Sequence, residues 1–328
     1  MQIHKIIELI DNRDAKSVVL LCHINADPDA ICAAYALSQL LQRFRPNLNV
    51  EIAAPQGPSL LSKSLFSSLP AKLSEHPKIE EARIIVLLDT NTVQQLGEWS
   101  EVVNASKAAV VVIDHHASHP ETEHLAALNV SDETASSTCE IIYRLYKEAE
   151  ANLTPSEAKA LFLGISFDTR HFVMANSTAF KVIADLIDAG VKAEEALSLL
   201  NLPMGSSERV ARLKASKRIK LLKINEWILT ISNVNAYQAS AARALIYVGA
   251  HVAVVAGEKG KKIQISMRSS RDFHEKTGIH LGRDIARPLG EYLRGMGGGH
   301  SMSAGVNGIG DIDTSLKCCF KLIKDKLI

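Results

Sequence analysis

Short, continuous apolar runs recur at residues 18–22, 84–88 and 108–113, with a weaker one at 50–54. Their length and β-branched content predict strands buried on both faces. Helical spacing lies between them. Ala34, Leu37, Leu40 and Leu41 share one face of a helix over 30–43, and Ile141, Ile142 and Leu145 do so over 136–149. The chain opens on an amphipathic helix with Ile3, Ile6, Ile7 and Ile10 on one side. Strand and helix in alternation predict an α/β fold with a doubly wound, mainly parallel sheet, whose ligands gather at the strand carboxyl ends.

Helices dominate residues 154–200, where Thr154, Pro155 and Glu157 form a capping-box start. A second helical stretch covers 179–188 and ends at Gly190. A polar segment with Pro203, Gly205, Ser206 and Ser207, followed by a basic helical run, predicts a boundary. The expected organisation is a domain over 1–200, a linker helix over 201–223 and a second domain over 224–328. In that second part, strands are predicted at 228–232, 252–256 and 262–267, a turn at 258–261, and helices at 240–247 and 281–294. This is the pattern of a smaller α/β domain with a mixed sheet, and a site in a cleft between the two is expected.

Composition narrows the field. The 328 residues carry a net charge of +1, which argues against a partner such as long duplex nucleic acid and leaves room for a small anionic substrate. Five cysteines, Cys22, Cys32, Cys139, Cys318 and Cys319, form no C-x-x-C pair, so reduced thiols in a cytoplasmic protein are expected. No run approaches the roughly 20 apolar residues that span a bilayer, so no membrane partner is expected.

Four segments carry the chemistry. His23, Asn25, Asp27 and Asp29 follow the first run, Asp89 follows the second, Asp114-His115-His116 follows the third, and Asp168 adjoins an apolar helix. Parallel strands bring the first three to one edge. Carboxylates so crowded repel one another, and divalent cations resolve the conflict. Mixed carboxylate and imidazole donors suit manganese, and also magnesium, iron(II), cobalt or zinc. Two such ions about 3.5–4 Å apart can clamp a phosphate ester for in-line attack.

The ordered set His23-x-x-x-Asp27-x-Asp29, Asp89, Asp114-His115-His116 and Asp168 resembles the DHH phosphoesterase superfamily. The ending Gly297-Gly298-Gly299-His300, with Ala304 and Gly305, resembles the glycine-rich signature of the DHH-associated substrate domain. The chain's size, and the segment Ser266-Met267-Arg268-Ser269 upstream of the glycines, resemble the nano-RNase (NrnA-like) branch. The resemblance implies two divalent ions, Mn²⁺ first, with Mg²⁺ or Co²⁺ as alternatives. His23, Asp27 and Asp89 would hold one; Asp29, Asp89, His115 and Asp168 would hold the other. It further implies that Asp114 orients His115 by a hydrogen bond, that His116 meets the scissile phosphate or leaving group, and that Asn25 lies close by. Arg268, Ser269, Gly297, Gly298, Gly299 and His300 would grip substrate. Ser136-Ser137-Thr138-Cys139-Glu140 also resembles a family segment and reads equally well as a helix cap.

Three departures stand out. Pro28 replaces the usual Gly between the paired aspartates, Cys32 or Ala33 replaces a Ser, and Arg170-His171 follow Asp168-Thr169 where a small residue is usual. None removes a ligand. The implied activity is metal-dependent hydrolysis of very short single-stranded oligonucleotides or dinucleotides to nucleoside monophosphates by two-metal hydroxide attack. Alternatives are a cyclic di-AMP or linear dinucleotide phosphodiesterase, a 3′-phosphoadenosine 5′-phosphate phosphatase, and a non-catalytic nucleotide sensor. An exposed apolar helix would support a homodimer.

Overall fold

A computed structural model of the chain describes residues 1–201 and 204–327; Pro203, part of the expected boundary, lies outside them. The chain separates into two compact units, Met1–Leu202 and Pro203–Ile328.

The first unit runs α1 (Gln2–Asn12), β1 (Ser17–Cys22), α2 (Pro28–Phe44), β2 (Asn49–Ala53), α3 (Leu60–Phe66), β3 (Ile84–Leu88), a 3₁₀ segment Val93–Trp99, α4 (Ser100–Ala105), β4 (Ala109–Ile113), α5 (Pro120–Leu125) and β5 (Ala126–Asn129). Four helices follow: α6 (Thr138–Glu148), α7 (Pro155–Asp168), α8 (Ser177–Asp188) and α9 (Ala193–Leu199). The strands form one parallel sheet in the order β2-β1-β3-β4-β5. Side chains alternate across it: Val18, Leu20 and Cys22 enter one core with Ile3, Ile6, Leu37 and Leu161. Val19 and Leu21 enter another with Val93, Leu96 and Val103. Burial on both faces explains the unbroken apolar runs. It also sends β1, β3 and β4 to one edge, each ending one residue before a functional side chain: His23, Asp89 and Asp114.

The second unit holds α10 (Ser206–Lys217), β6 (Lys220–Ile224), β7 (Trp227–Asn233), α11 (Gln238–Val248), β8 (Val252–Lys259), β9 (Lys262–Ser269), α12 (Arg271–Thr277), a π-helical turn Leu281–Ala286, α13 (Arg287–Tyr292), β10 (Met296–Gly299), β11 (Ser303–Ile309) and α14 (Ile312–Leu327). Its sheet, β10-β11-β9-β8-β7-β6, is mixed, with β7 and β8 parallel and the other pairs antiparallel. No helix among the described residues is long and apolar enough to cross a membrane.

Two expectations change here. Among the described residues of the expected linker helix over 201–223, only α10 is helical, and the last of them form β6, an edge strand. That strand, Lys-Leu-Leu-Lys-Ile, leaves Leu221 64% exposed, so its apolar positions do not alternate as a half-buried strand's would. The helix over 281–294 begins as the π turn and becomes α-helical from Arg287, with Pro288 in the first turn, where a missing N–H is tolerated. The glycine-rich ending, whose glycines the resemblance sets against substrate, forms the β10–β11 hairpin.

Candidate metal centre

Asp27 and Asp29 sit at helix starts, which explains why a carboxylate pair occurs there. Asp27 caps α2: its Oδ1 accepts from the N–H of Asp29 at 2.9 Å and of Ala30 at 3.2 Å. Pro28 takes the first helical position, where a missing N–H costs nothing, so this departure from the usual glycine is accommodated by the cap. Asp29 is fully buried and caps a different helix. Its Oδ2 accepts from Thr138 N at 2.6 Å and its Oδ1 from Cys139 N at 3.0 Å, at the start of α6.

Asp89 follows β3 with a left-handed backbone (φ 54°), a conformation aspartate adopts more readily than most residues. It is 3% exposed, and its two oxygens face opposite ways. Oδ2 lies 3.7 Å from His23 Nε2, while Oδ1 lies 3.5 Å from both His115 Nε2 and His116 Nδ1. Thr138 Oγ1 donates to Oδ1 at 3.0 Å. Asp168, the last residue of α7, places Oδ2 2.9 Å from His115 Nε2. That pair is too poorly aligned for a hydrogen bond, so the buried His115 nitrogen is left without a partner. A nitrogen and a carboxylate turned toward a common point, rather than toward each other, fit two ligands of one cation.

Donor atoms within 4.8 Å of one another form three groups: His23, Asp27 and Asp89; Asp29, His115 and Asp168; and Asp89, His115 and His116. All six expected metal ligands therefore come together. The donor set, oxygen and imidazole with no thiolate, fits Mn²⁺ or a similarly hard ion.

Other expectations were met differently. Asp114 makes its hydrogen bond to His116, not to His115: Oδ1 accepts from His116 N at 2.8 Å and pairs with Nδ1 at 2.8 Å. The peptide turn between residues 114 and 116 closes that short contact, and residue spacing alone does not distinguish the two imidazoles. Asn25 is exposed in a left-handed turn (φ 55°), and its side chain makes no hydrogen bond among the described residues. Thr138, in the segment that reads equally well as a family resemblance or a helix cap, touches both Asp29 and Asp89. Its signal was the Ser-Ser-Thr run, which gives no hint of partners 109 and 49 residues away.

In the second unit, Arg268 is half-buried and donates to its neighbour's carbonyl, Met267 O, at 2.8 Å. Ser269 Oγ is buried without a partner, and His300 is exposed beyond β10. The glycines divide. A Cβ on Gly297 would lie 1.7 Å from Ala286 O, and one on Gly299 2.4 Å from Ser303 O, whereas one on Gly298 would meet nothing within 4 Å. Close backbone packing thus accounts for Gly297 and Gly299, and only Gly298 presents an open backbone.

The electrostatics record the crowding. Burial, then the carboxylates of Asp27, Asp114 and Asp168, raise Asp89 from 3.8 to about 7. Burial, then the carboxylates of Asp168, Asp89 and Asp27, push Asp29 well up. Burial pulls His23 down, but Asp27, the Ile24 carbonyl and Asp89 outweigh it and lift the imidazole from 6.5 to about 9. His115 is raised likewise, against its burial, by Asp168 and Asp89. Groups whose folded pKa is raised contribute stability below their unfolded values and lose it as pH rises through the folded ones. The Asp89 and His23 shifts set a window from 3.8 to about 9. Metal-free protein is therefore expected to melt several degrees lower at about pH 9 than at about pH 6, with added Mn²⁺ removing most of the difference. Thermal melts in chelator test this, and a melting temperature that climbs over that interval would contradict it.

Residues 17–165 match the DHH family, N-terminal domain. The chain is 32% identical over 325 residues to the uncharacterized protein MJ0988 of Methanocaldococcus jannaschii, covering 98% of this chain and 94% of that one. It belongs to the DHH family. The bifunctional oligoribonuclease and PAP phosphatase NrnA of Bacillus subtilis is 28% identical over 233 residues, 70% of this chain and 66% of that protein. Among solved structures, an exopolyphosphatase-related protein from Bacteroides fragilis matches with a TM-score of 0.67 at 20% identity, over 99% of this chain and 96% of that one, a likeness of fold.

Proposed function

We propose that this protein is a metal-dependent phosphoesterase that hydrolyses very short oligonucleotides to nucleoside monophosphates. The observation that carries the reading is the bridging posture of Asp89, whose two oxygens serve two separate donor groups. His23, Asp27 and Asp89 would hold one divalent cation, and Asp29, Asp89, His115 and Asp168 a second. When bound, the pair supplies Lewis acidity toward phosphoryl oxygens and a nucleophile at neutral pH.

The protein's own groups do the rest. Asp29, fixed by two backbone N–H groups, and Asp89, fixed by Thr138, hold their oxygens still, so little reorganisation is needed when charge develops. The Asp114 hydrogen bond raises His116 and favours its protonated form. With Nδ1 committed to Asp114, the half-exposed His116 keeps Nε2 for a leaving-group oxygen, to which it can donate a proton. Arg268, Ser269, the open backbone at Gly298, and His300 are the proposed contacts to the rest of the substrate. The namesake activities of the Bacillus subtilis relative support nucleotide phosphoesters as the substrate class.

The test is a substrate panel with Mn²⁺: di- to pentanucleotides, cyclic di-AMP, 3′-phosphoadenosine 5′-phosphate and pyrophosphate. Short linear oligonucleotides are expected to turn over fastest, with mononucleotide as product. Preference for pyrophosphate or the cyclic dinucleotide would overturn the assignment.

A further inference from the structure

Directly after the Asp168 ligand, the backbone does something costly. Arg170, His171 and Phe172 have φ of 50°, 55° and 69°, three consecutive non-glycine residues in left-handed conformation. Side chains crowd the following carbonyl there, and only glycine, asparagine and aspartate visit the region routinely.

The turn is over-determined. His171 N donates to Ser166 O at 2.7 Å, Phe172 N to Thr169 Oγ1 at 3.2 Å, and Met174 N to Thr169 O at 2.9 Å. The Phe172 ring packs between Phe162 and Phe180, with centroids 5.7 and 6.2 Å away. Asn176 Nδ2, just beyond, donates to Thr134 O at 3.3 Å. So much local support holds a rigid shape and not a slack loop.

What the shape displays is chemistry left unspent inside the protein. Arg170 and His171 are exposed, and neither side chain has a hydrogen bond or an ion pair among the described residues. Val173 and Met174 follow at 82% and 62% exposure. Within six residues of Asp168 the chain therefore offers a free guanidinium, an imidazole and two apolar side chains. Strain maintained beside a site, with nothing in the fold using the displayed groups, is a signature of substrate contact.

We propose that this turn is a substrate anchor, with the Arg170 guanidinium, seconded by His171, holding the phosphate that neighbours the scissile one. A guanidinium offers paired N–H donors that suit phosphate oxygens. Two residues along the chain from Asp168, it would give a second phosphate a cationic partner where the carboxylates would repel it. Val173 and Met174 present apolar surface to the attached nucleoside. The anchor makes the enzyme select molecules with two phosphates in series over simple diesters. It rests on the phosphoesterase reading above.

Arg170→Gly is the informative variant, because glycine is at home at a φ of 50° and the guanidinium is removed without loss to the fold. Its melting temperature is expected to be unchanged or raised. Its kcat/KM for 5′-phosphorylated diadenylate should fall about tenfold more than its kcat/KM for bis(p-nitrophenyl) phosphate, which has one phosphate, with Arg170→Lys intermediate. Equal losses on the two substrates would overturn the anchor. If the wild-type protein hydrolyses neither, the phosphoesterase reading fails, and calorimetric titration with 5′-phosphorylated diadenylate judges the anchor separately. Tighter binding by wild type than by Arg170→Gly supports it; equal binding, or none, overturns it.

Discussion

Asp89→Asn is expected to abolish tight Mn²⁺ binding and to lower dinucleotide turnover by on the order of a thousandfold or more. Asparagine keeps the shape and tolerates the left-handed backbone (φ 54°), so the substitution changes charge with little strain. Each Asp89 oxygen belongs to a different donor group, so one replacement weakens both. The metal-free protein should respond in the opposite direction. Asp89 is buried among Asp27, Asp114 and Asp168, and removing one charge relieves their repulsion, so the apo melting temperature should rise by several degrees. Calorimetric metal titration and melts in chelator read the two arms. Two sites of unchanged affinity would refute the bridging role.

The second large effect lies in the glycine-rich strand. Gly297→Ala drives a methyl group to 1.7 Å from Ala286 O, backbone against backbone, and neither side is a flexible tip that can yield. The second unit is expected to lose about 3 kcal/mol or more. Gly298→Ala, one residue along, meets open space and should cost about 1 kcal/mol or less. Denaturant titration compares them. If the two variants are equally stable, the glycines are not there for packing. A Gly298→Ala variant that folds normally but binds substrate more weakly would show that this backbone is used for recognition.

Much of the centre was legible because parallel strands convert distance in sequence into proximity. Residues after β1, β3 and β4 share an edge whatever the lengths between them, so His23, Asp89 and His115 could be brought together from apolar runs alone. Asp168 was harder, since it ends a helix, and its place depended on resemblance. The Asp114–His116 hydrogen bond was not legible, because the choice between adjacent imidazoles is made by local turn geometry. Nor was the role of Thr138, whose contacts depend on where α6 begins relative to β3. In the second unit, the apolar runs of β7 and β8 and the alternation of β9 were legible, whereas β6, β10 and the Gly-interrupted β11 were missed. Edge strands carry little hydrophobic signal, and Met-Gly-Gly-Gly carries none. Arg170 and His171 were visible as oddities, but their backbone conformation was not.

Asp27 and Asp29 are also joinery. Asp27 begins α2, and Asp29 is held by the first N–H groups of α6, so the same carboxylates that would coordinate cations also set where two core helices start. Selection for a foldable chain therefore preserves them independently of selection for chemistry. In a descendant that had abandoned turnover, these aspartates would be among the last positions to drift. His116 and Arg170 begin no helix and fill no core, and they would be among the first. Decay of this lineage toward an inert protein would be written at the rim of the centre before it reached the ligands.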